Sequence, residues 1–154
     1  MDPAHAGPPD TLPGLLVRNL HLRGEHAAIT VLRRHHAPLD LSGSDLLAKA
    51  GELADRWQRH FGPGPHRFIL ALPPGPDFLI ALLAGLISSH TIVPVAIPRA
   101  GSRAERLSHI AHDCSATSIV CLAETQSSIR AFLRDQFGDR EALCPGIIAL
   151  DDAW

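Results

Sequence analysis

From Arg67 onward the sequence repeats one alternation, a short apolar run followed by a turn and a helix-like stretch. The apolar runs are residues 67–72 (RFILAL), 91–96 (TIVPVA), 117–122 (TSIVCL) and 146–150 (GIIAL). They are apolar almost throughout rather than at every second position, the pattern of strands covered on both faces of a sheet. Residues 77–88 between the first two runs read as a helix that is apolar nearly all round, hence buried on most faces. The next connection carries Leu107, Ile110, Ala111 and Cys114 on one helical face, opened by a Ser102/Glu105 capping box. The last, residues 124–137, carries Ile129, Phe132, Leu133 and Phe137 on one face. Strand–helix–strand in succession requires parallel pairing with right-handed crossovers. The fold class expected is therefore α/β, an open, Rossmann-like, mainly parallel sheet in the order βαβαβαβ. Pro94 has no N–H to give to a ladder and is expected at a bulge or a strand end.

A β-hairpin and a helix precede this sheet. Residues 27–34 are β-rich and can pair back with residues 37–41. Ser42 and Asp45 then have the spacing of a capping box, and Leu46, Ala50, Leu53 and Trp57 repeat at helical intervals. The run Gly62-Pro63-Gly64-Pro65 ends the unit as a plain loop, since its prolines remove the donors a phosphate cradle needs. Residues 1–14, rich in Pro and Gly and without a period, read as a flexible leader, and 15–154 as the folded part. Residues 15–22 are apolar without declaring helix or strand.

Composition narrows the function classes. At 154 residues, with 45% hydrophobic and 19% charged residues, the chain has the size and content of one globular domain. A net charge of -2 gives the chain as a whole no reason to seek nucleic acid or an anionic membrane. Ten histidines would swing that charge positive in mild acid. Cys114, Cys121 and Cys144, odd in number and widely spaced, are neither a disulfide framework nor a zinc site and read as buried, reduced thiols. The start of the chain lacks the charged and apolar regions of a secretory signal. The longest apolar stretch, residues 78–87, is half the length a membrane span needs, about 20 residues. A cytoplasmic protein is expected.

No catalytic, cofactor-binding or metal-binding residue can be assigned from motifs. The sequence has no phosphate-binding or dinucleotide-binding glycine loop, no nucleophile elbow and no zinc-protease helix. His35 and His36 are adjacent, so in a strand they would point to opposite faces, and they read as solvated residues of the hairpin turn. His109 and His112 are one helical turn apart, but the nearest further ligand, Asp113, is expected on another face, and no metal site is assigned. Arg99, Arg103 and Arg106 cluster at a strand-to-helix connection, the place where open α/β sheets take ligands, although a solvated surface is the simpler reading.

Two stretches in order carry a resemblance. Leu72-Pro73-Pro74-Gly75-Pro76-Asp77-Phe78 is followed by the apolar helix and then by Val93-Pro94-Val95. Together they resemble the first subdomain of acyl- and aryl-adenylating enzymes, the acyl-CoA synthetases, fatty acyl-AMP ligases and nonribosomal adenylation domains. Residues 41–57 also look like that family's early helix, and the resemblance covers roughly residues 27–150. Ser89 departs from it, since the family usually has Gly just past the buried helix, and so do His90 and Thr91, which replace small apolar residues. Among the relatives, the run Ala96-Ile97-Pro98-Arg99-Ala100-Gly101-Ser102 matches the longer connection of the fatty acyl-AMP ligases, with Glu105-Arg106-Leu107 in place.

The resemblance implies an ATP-dependent ligase that forms an acyl-adenylate and hands the acyl group to an acyl carrier protein, with ATP and Mg as cofactors of the complete enzyme. An acyl-CoA synthetase or a non-catalytic acyl- or protein-binding module is the alternative. The family's Ser/Thr/Gly-rich loop and following Lys, its ribose-binding Asp and its C-terminal catalytic Lys all lie beyond the part matched. The chain alone is thus expected to be an inactive N-terminal subdomain whose partner is the remainder of the ligase. A cut parallel sheet with an open edge is also expected to self-associate.

Overall fold

A computed structural model describes residues 11–32, 35–97, 103–137 and 145–150. They form α1 (Leu12–Arg23), β1 (Ala27–Val31), β2 (Leu39–Ser42), α2 (Gly43–Phe61), β3 (Arg67–Ala71), α3 (Pro76–Ile87), β4 (Thr91–Pro94), α4 (Arg103–Asp113), β5 (Ser118–Leu122), α5 (Ala123–Phe137) and β6 (Gly146–Leu150). The chain divides into two compact units, residues 1–65 with 78–90, and residues 66–77 with 91–154.

In the first unit, the segment at 15–22 proves to be helical and starts earlier, at Leu12. Thr11 caps it, its hydroxyl accepting the Gly14 N–H at 3.3 Å, and Pro13 falls in the first turn, where a missing N–H costs nothing. β1 and β2 pair antiparallel as expected, with a register shift between Ala27 and Ile29. The capping box also forms: the Ser42 hydroxyl accepts the Asp45 N–H at 3.0 Å, and the Asp45 carboxylate accepts the Ser42 N–H at 3.2 Å. The Ser42 hydroxyl also donates to the Asp45 carboxylate at 2.7 Å, and this bond, with that from the Ser42 N–H, holds the Asp45 carboxyl below its ordinary value. Two further donors at the start of α2 are met from the α1–β1 connection, Ser44 N–H by the Gly24 carbonyl at 2.9 Å and Gly43 N–H by that of His26 at 3.3 Å. Leu46, Leu47, Ala50, Leu53, Ala54 and Trp57 supply the buried face of α2, and Ile80, Ala81, Ala84 and Ile87 that of α3.

α3 ends without glycine. Ser89 itself takes the left-handed conformation (φ +59°), and the two bonds of a Schellman cap form, His90 N–H to Gly85 carbonyl at 2.8 Å and Ser89 N–H to Leu86 carbonyl at 3.3 Å. His90 is thereby buried, its ring centroid 6.3 Å from that of Trp57. α4 ends identically at Ser115 (φ +48°), with Ala116 N–H bonded to the Ala111 carbonyl at 2.9 Å. A left-handed residue with a Cβ costs roughly 1–2 kcal/mol, partly offset by glycine's larger unfolded-state entropy. Ser89→Gly and Ser115→Gly should therefore each raise stability by about 0.5–1 kcal/mol, read as a higher urea midpoint at unchanged slope.

The second unit holds a parallel sheet in the order β4-β3-β5-β6. Ile69, Ala71, Ile119 and Cys121 on one face form a core with Leu107 and Ala111 of α4 and Ile129 and Leu133 of α5. Phe68, Leu70 and Val120, pointing the other way, are just as fully buried, which is why the runs carry no alternation. Pro94 closes the edge strand β4, and the ladder extends one bond further through Val95 N–H to the Leu70 carbonyl at 3.0 Å. The Ser102/Glu105 cap, the stretch around Arg99 and Cys144 lie outside the described residues or side chains.

Candidate functional site

Strand order decides where a ligand crevice can form. From β3 the chain crosses to β4 on one side, then returns past β3 to β5 and continues to β6. The direction reverses between β3 and β5, so by the rule for open sheets their carboxyl ends are where a ligand crevice is expected. After β3 comes the turn of Leu72, Pro73, Pro74 and Gly75, leading into Pro76 and Asp77 of α3. Leu72 is buried and Pro74 exposed. A Cβ on Gly75 would meet nothing within 4 Å, so crowding does not dictate that glycine. After β5 the chain enters α5 directly, and the Thr125 hydroxyl donates to the Leu122 carbonyl at 3.0 Å.

Beside this crevice, the end of β4 and the inner side of α4 leave a cleft of about 310 Å³ lined by Pro94, Val95, Ala96, Arg106, Leu107 and Ile110. Five of its six lining residues are apolar by type, and the exposed Arg106 is the cation among them. Of the arginine cluster read from the sequence, Arg106 reaches this cleft, Arg103 opens α4, and Arg99 lies outside the described residues. The sequence placed Leu107 and Ile110 on one apolar helical face and Val95 in a strand, and apolar periodicity has no means of separating a cleft wall from a packed face.

The histidine pairs are not gathered into a site. His35, at φ +63°, and His36 are exposed in the hairpin turn. His109 and His112 are exposed on α4, and His112 Nδ1 stands 3.7 Å from the Asp113 carboxylate, a solvated pair of small energetic weight. Among the described residues no group of three or more His, Cys, Asp or Glu could hold a metal ion. Burial pushes the thiols of Cys114 and Cys121 above the ordinary cysteine value, which keeps them protonated and poorly nucleophilic at neutral pH.

No protein-family model matches the chain. Two curated proteins of Mycobacterium marinum do: the long-chain-fatty-acid–AMP ligase FadD32, 25% identical over 134 residues (84% of this chain, 21% of the relative), and the long-chain-fatty-acid–AMP ligase FadD26, 26% identical over 145 residues (92% and 24%). Among solved structures, McyG A-PCP complexed with phenylalanyl-adenylate matches with a TM-score of 0.74 at 16% identity, over 88% of this chain and 24% of that one. The fatty acid AMP ligase of Legionella pneumophila matches with a TM-score of 0.69 at 19% identity, over 87% and 23%. These matches support a likeness to the N-terminal subdomain of adenylate-forming enzymes, whose fold the chain shares. The chain spans less than a quarter of the length of the curated ligases it matches. The two stretches that carried the resemblance fall at the carboxyl ends of β3 and β4. Residues 72–75 form the turn at the carboxyl end of β3, and Val93-Pro94-Val95 runs from the edge strand into the cleft.

Proposed function

We propose that this chain is the N-terminal scaffold of a fatty acyl-AMP ligase. The complete enzyme would join a fatty acid to ATP, releasing pyrophosphate, and pass the acyl group from the adenylate to the phosphopantetheine thiol of an acyl carrier protein in the cytoplasm. The observation that carries this reading is that both curated relatives, matched over most of the chain, are long-chain-fatty-acid–AMP ligases. The connection 96–107, whose length resembles that of the fatty acyl-AMP ligases, favours the carrier protein over coenzyme A as acceptor. In this role the chain supplies the sheet and the apolar cleft wall, while ATP and Mg are held by the complete enzyme. The sequence contains no Ser/Thr/Gly-rich loop followed by Lys, so nothing in it offsets the charge that develops during adenylyl transfer.

The isolated chain should thus give no ATP–pyrophosphate exchange above a blank with medium- or long-chain fatty acids. Grafted in place of the equivalent segment of the Legionella pneumophila ligase, it should support exchange with fatty acids. A well-folded graft that exchanges with no fatty acid would reject the scaffold reading. If the graft instead makes acyl-CoA efficiently and leaves a cognate carrier protein unloaded, the acceptor assignment fails while the adenylating one stands.

A further inference from the structure

The net charge of -2 averages two unlike parts of the chain. Residues 11–39 hold four arginines, Arg18, Arg23, Arg33 and Arg34, against one acid, Glu25, and four of the ten histidines. The rest of the chain holds ten basic against fifteen acidic residues. The basic part coincides with α1 and the hairpin, and among the described residues it is also where the large exposed apolar side chains sit. Leu12, Leu22 and Leu32 are 62%, 78% and 82% exposed, and Leu15 is at 36%.

On α1 these features form one face. Gly14 and Val17 are buried and Leu16 and Leu20 half-buried, so the helix already has an inner apolar side. Leu12, Leu15 and Leu22 fall on a second line at helical spacing, directed outward. Arg18 and Arg23, both exposed, bracket that line, and the helix contains no acidic residue. Leu32, just after β1, repeats the combination, with Arg33, Arg34, His35 and His36 next in sequence.

Leucines that face outward between arginines suit an interface that is apolar beneath and anionic at its surface. We propose that the outer face of α1 docks on an anionic lipid surface, with the leucines entering the acyl boundary and the arginines among the headgroups. No helix of the described residues is long and apolar enough to cross a membrane, so the contact is a peripheral one. An acidic protein would satisfy the arginines but would leave exposed leucines with no matching chemistry, which is why lipid is favoured.

The test is flotation of the full chain with vesicles of phosphatidylcholine alone or mixed with phosphatidylglycerol, at low and high salt. Binding is expected to the mixed vesicles, to weaken with salt, and to be slight on phosphatidylcholine. Arg18→Glu should weaken binding by roughly tenfold or more at low salt, since each charge near such a surface is worth about fivefold and reversal removes two. Leu22→Ser should weaken it by about tenfold at any salt, through lost burial. Both positions are exposed, so unfolding curves should match that of the parent chain. Equal binding to both vesicle types, or full binding by the two variants, would overturn the proposal. So would competition by soluble polyglutamate that removes the chain from vesicles at equal charge, since that result would favour an acidic protein partner.

Discussion

Gly43→Ala is expected to destabilise the first unit by about 2–3 kcal/mol, against the sign that helix propensity alone gives. Gly43 opens α2, where alanine is ordinarily better by about 1 kcal/mol. Here, however, a Cβ would stand 2.1 Å from the Leu20 carbonyl oxygen and 3.0 Å from the Arg23 Cβ. The first of these neighbours is backbone, so no rotamer change relieves it, and α1 as a whole has to withdraw. Withdrawal also stretches the bonds that seat the α1–β1 connection on the start of α2, Ser44 N–H to Gly24 and Gly43 N–H to His26. The expected result is a lower urea midpoint together with faster proteolytic cleavage within α1. Gly75→Ala is the control, because a Cβ there meets nothing within 4 Å, and it should be close to neutral. If Gly43→Ala proves as stable as the parent chain, the close approach of α1 to α2 is not as described.

What the sequence disclosed follows the range of the interactions involved. The Ser42–Asp45 capping box was legible because both bonds join residues three apart. The four parallel strands were legible because burial on both faces removes polar residues from each run, as at Phe68, Ile69 and Leu70. α1 was not legible. Pro13 and Gly14 lower helix propensity at its start, and its leucines occupy two faces, Leu16 and Leu20 inward and Leu12, Leu15 and Leu22 outward, so no single stripe emerges. The order β4-β3-β5-β6 was equally hidden, since periodicity establishes crossovers without saying on which side of β3 each returns. The crevice depends on that order. The turn at residues 72–77 could be recognised by resemblance, but its place at the reversal point could not be read from local pattern.

The second large effect is expected at the centre of that sheet. Phe68→Ala should cost about 3–5 kcal/mol, the usual range for a fully buried phenylalanine. Phe68 is 0% exposed and lies between Ile92 of β4 and Ser118 of β5 in the ladder. With strands paired on both sides, the backbone of β3 has little freedom to collapse into the space vacated, so the upper part of the range applies. Domains of this kind have a stability of about 5–15 kcal/mol, so a loss of this size removes from about a fifth of it to all of it. Phe68→Leu keeps an apolar side chain of lesser volume and should cost much less, about 1–1.5 kcal/mol. Ile147→Ala, at a half-buried position of the edge strand β6, should also fall well below Phe68→Ala. The difference matters for the crevice, because β3 carries the turn of residues 72–75 on its carboxyl end and Phe68 fixes the strand beneath it. Amide hydrogen exchange gives the test. In Phe68→Ala, protection should fall together along β3 and β5, while in Ile147→Ala the loss should stay near β6. A cost below about 1 kcal/mol at Phe68, or exchange in β3 unchanged, would mean that β3 is not the packed centre on which the crevice is built.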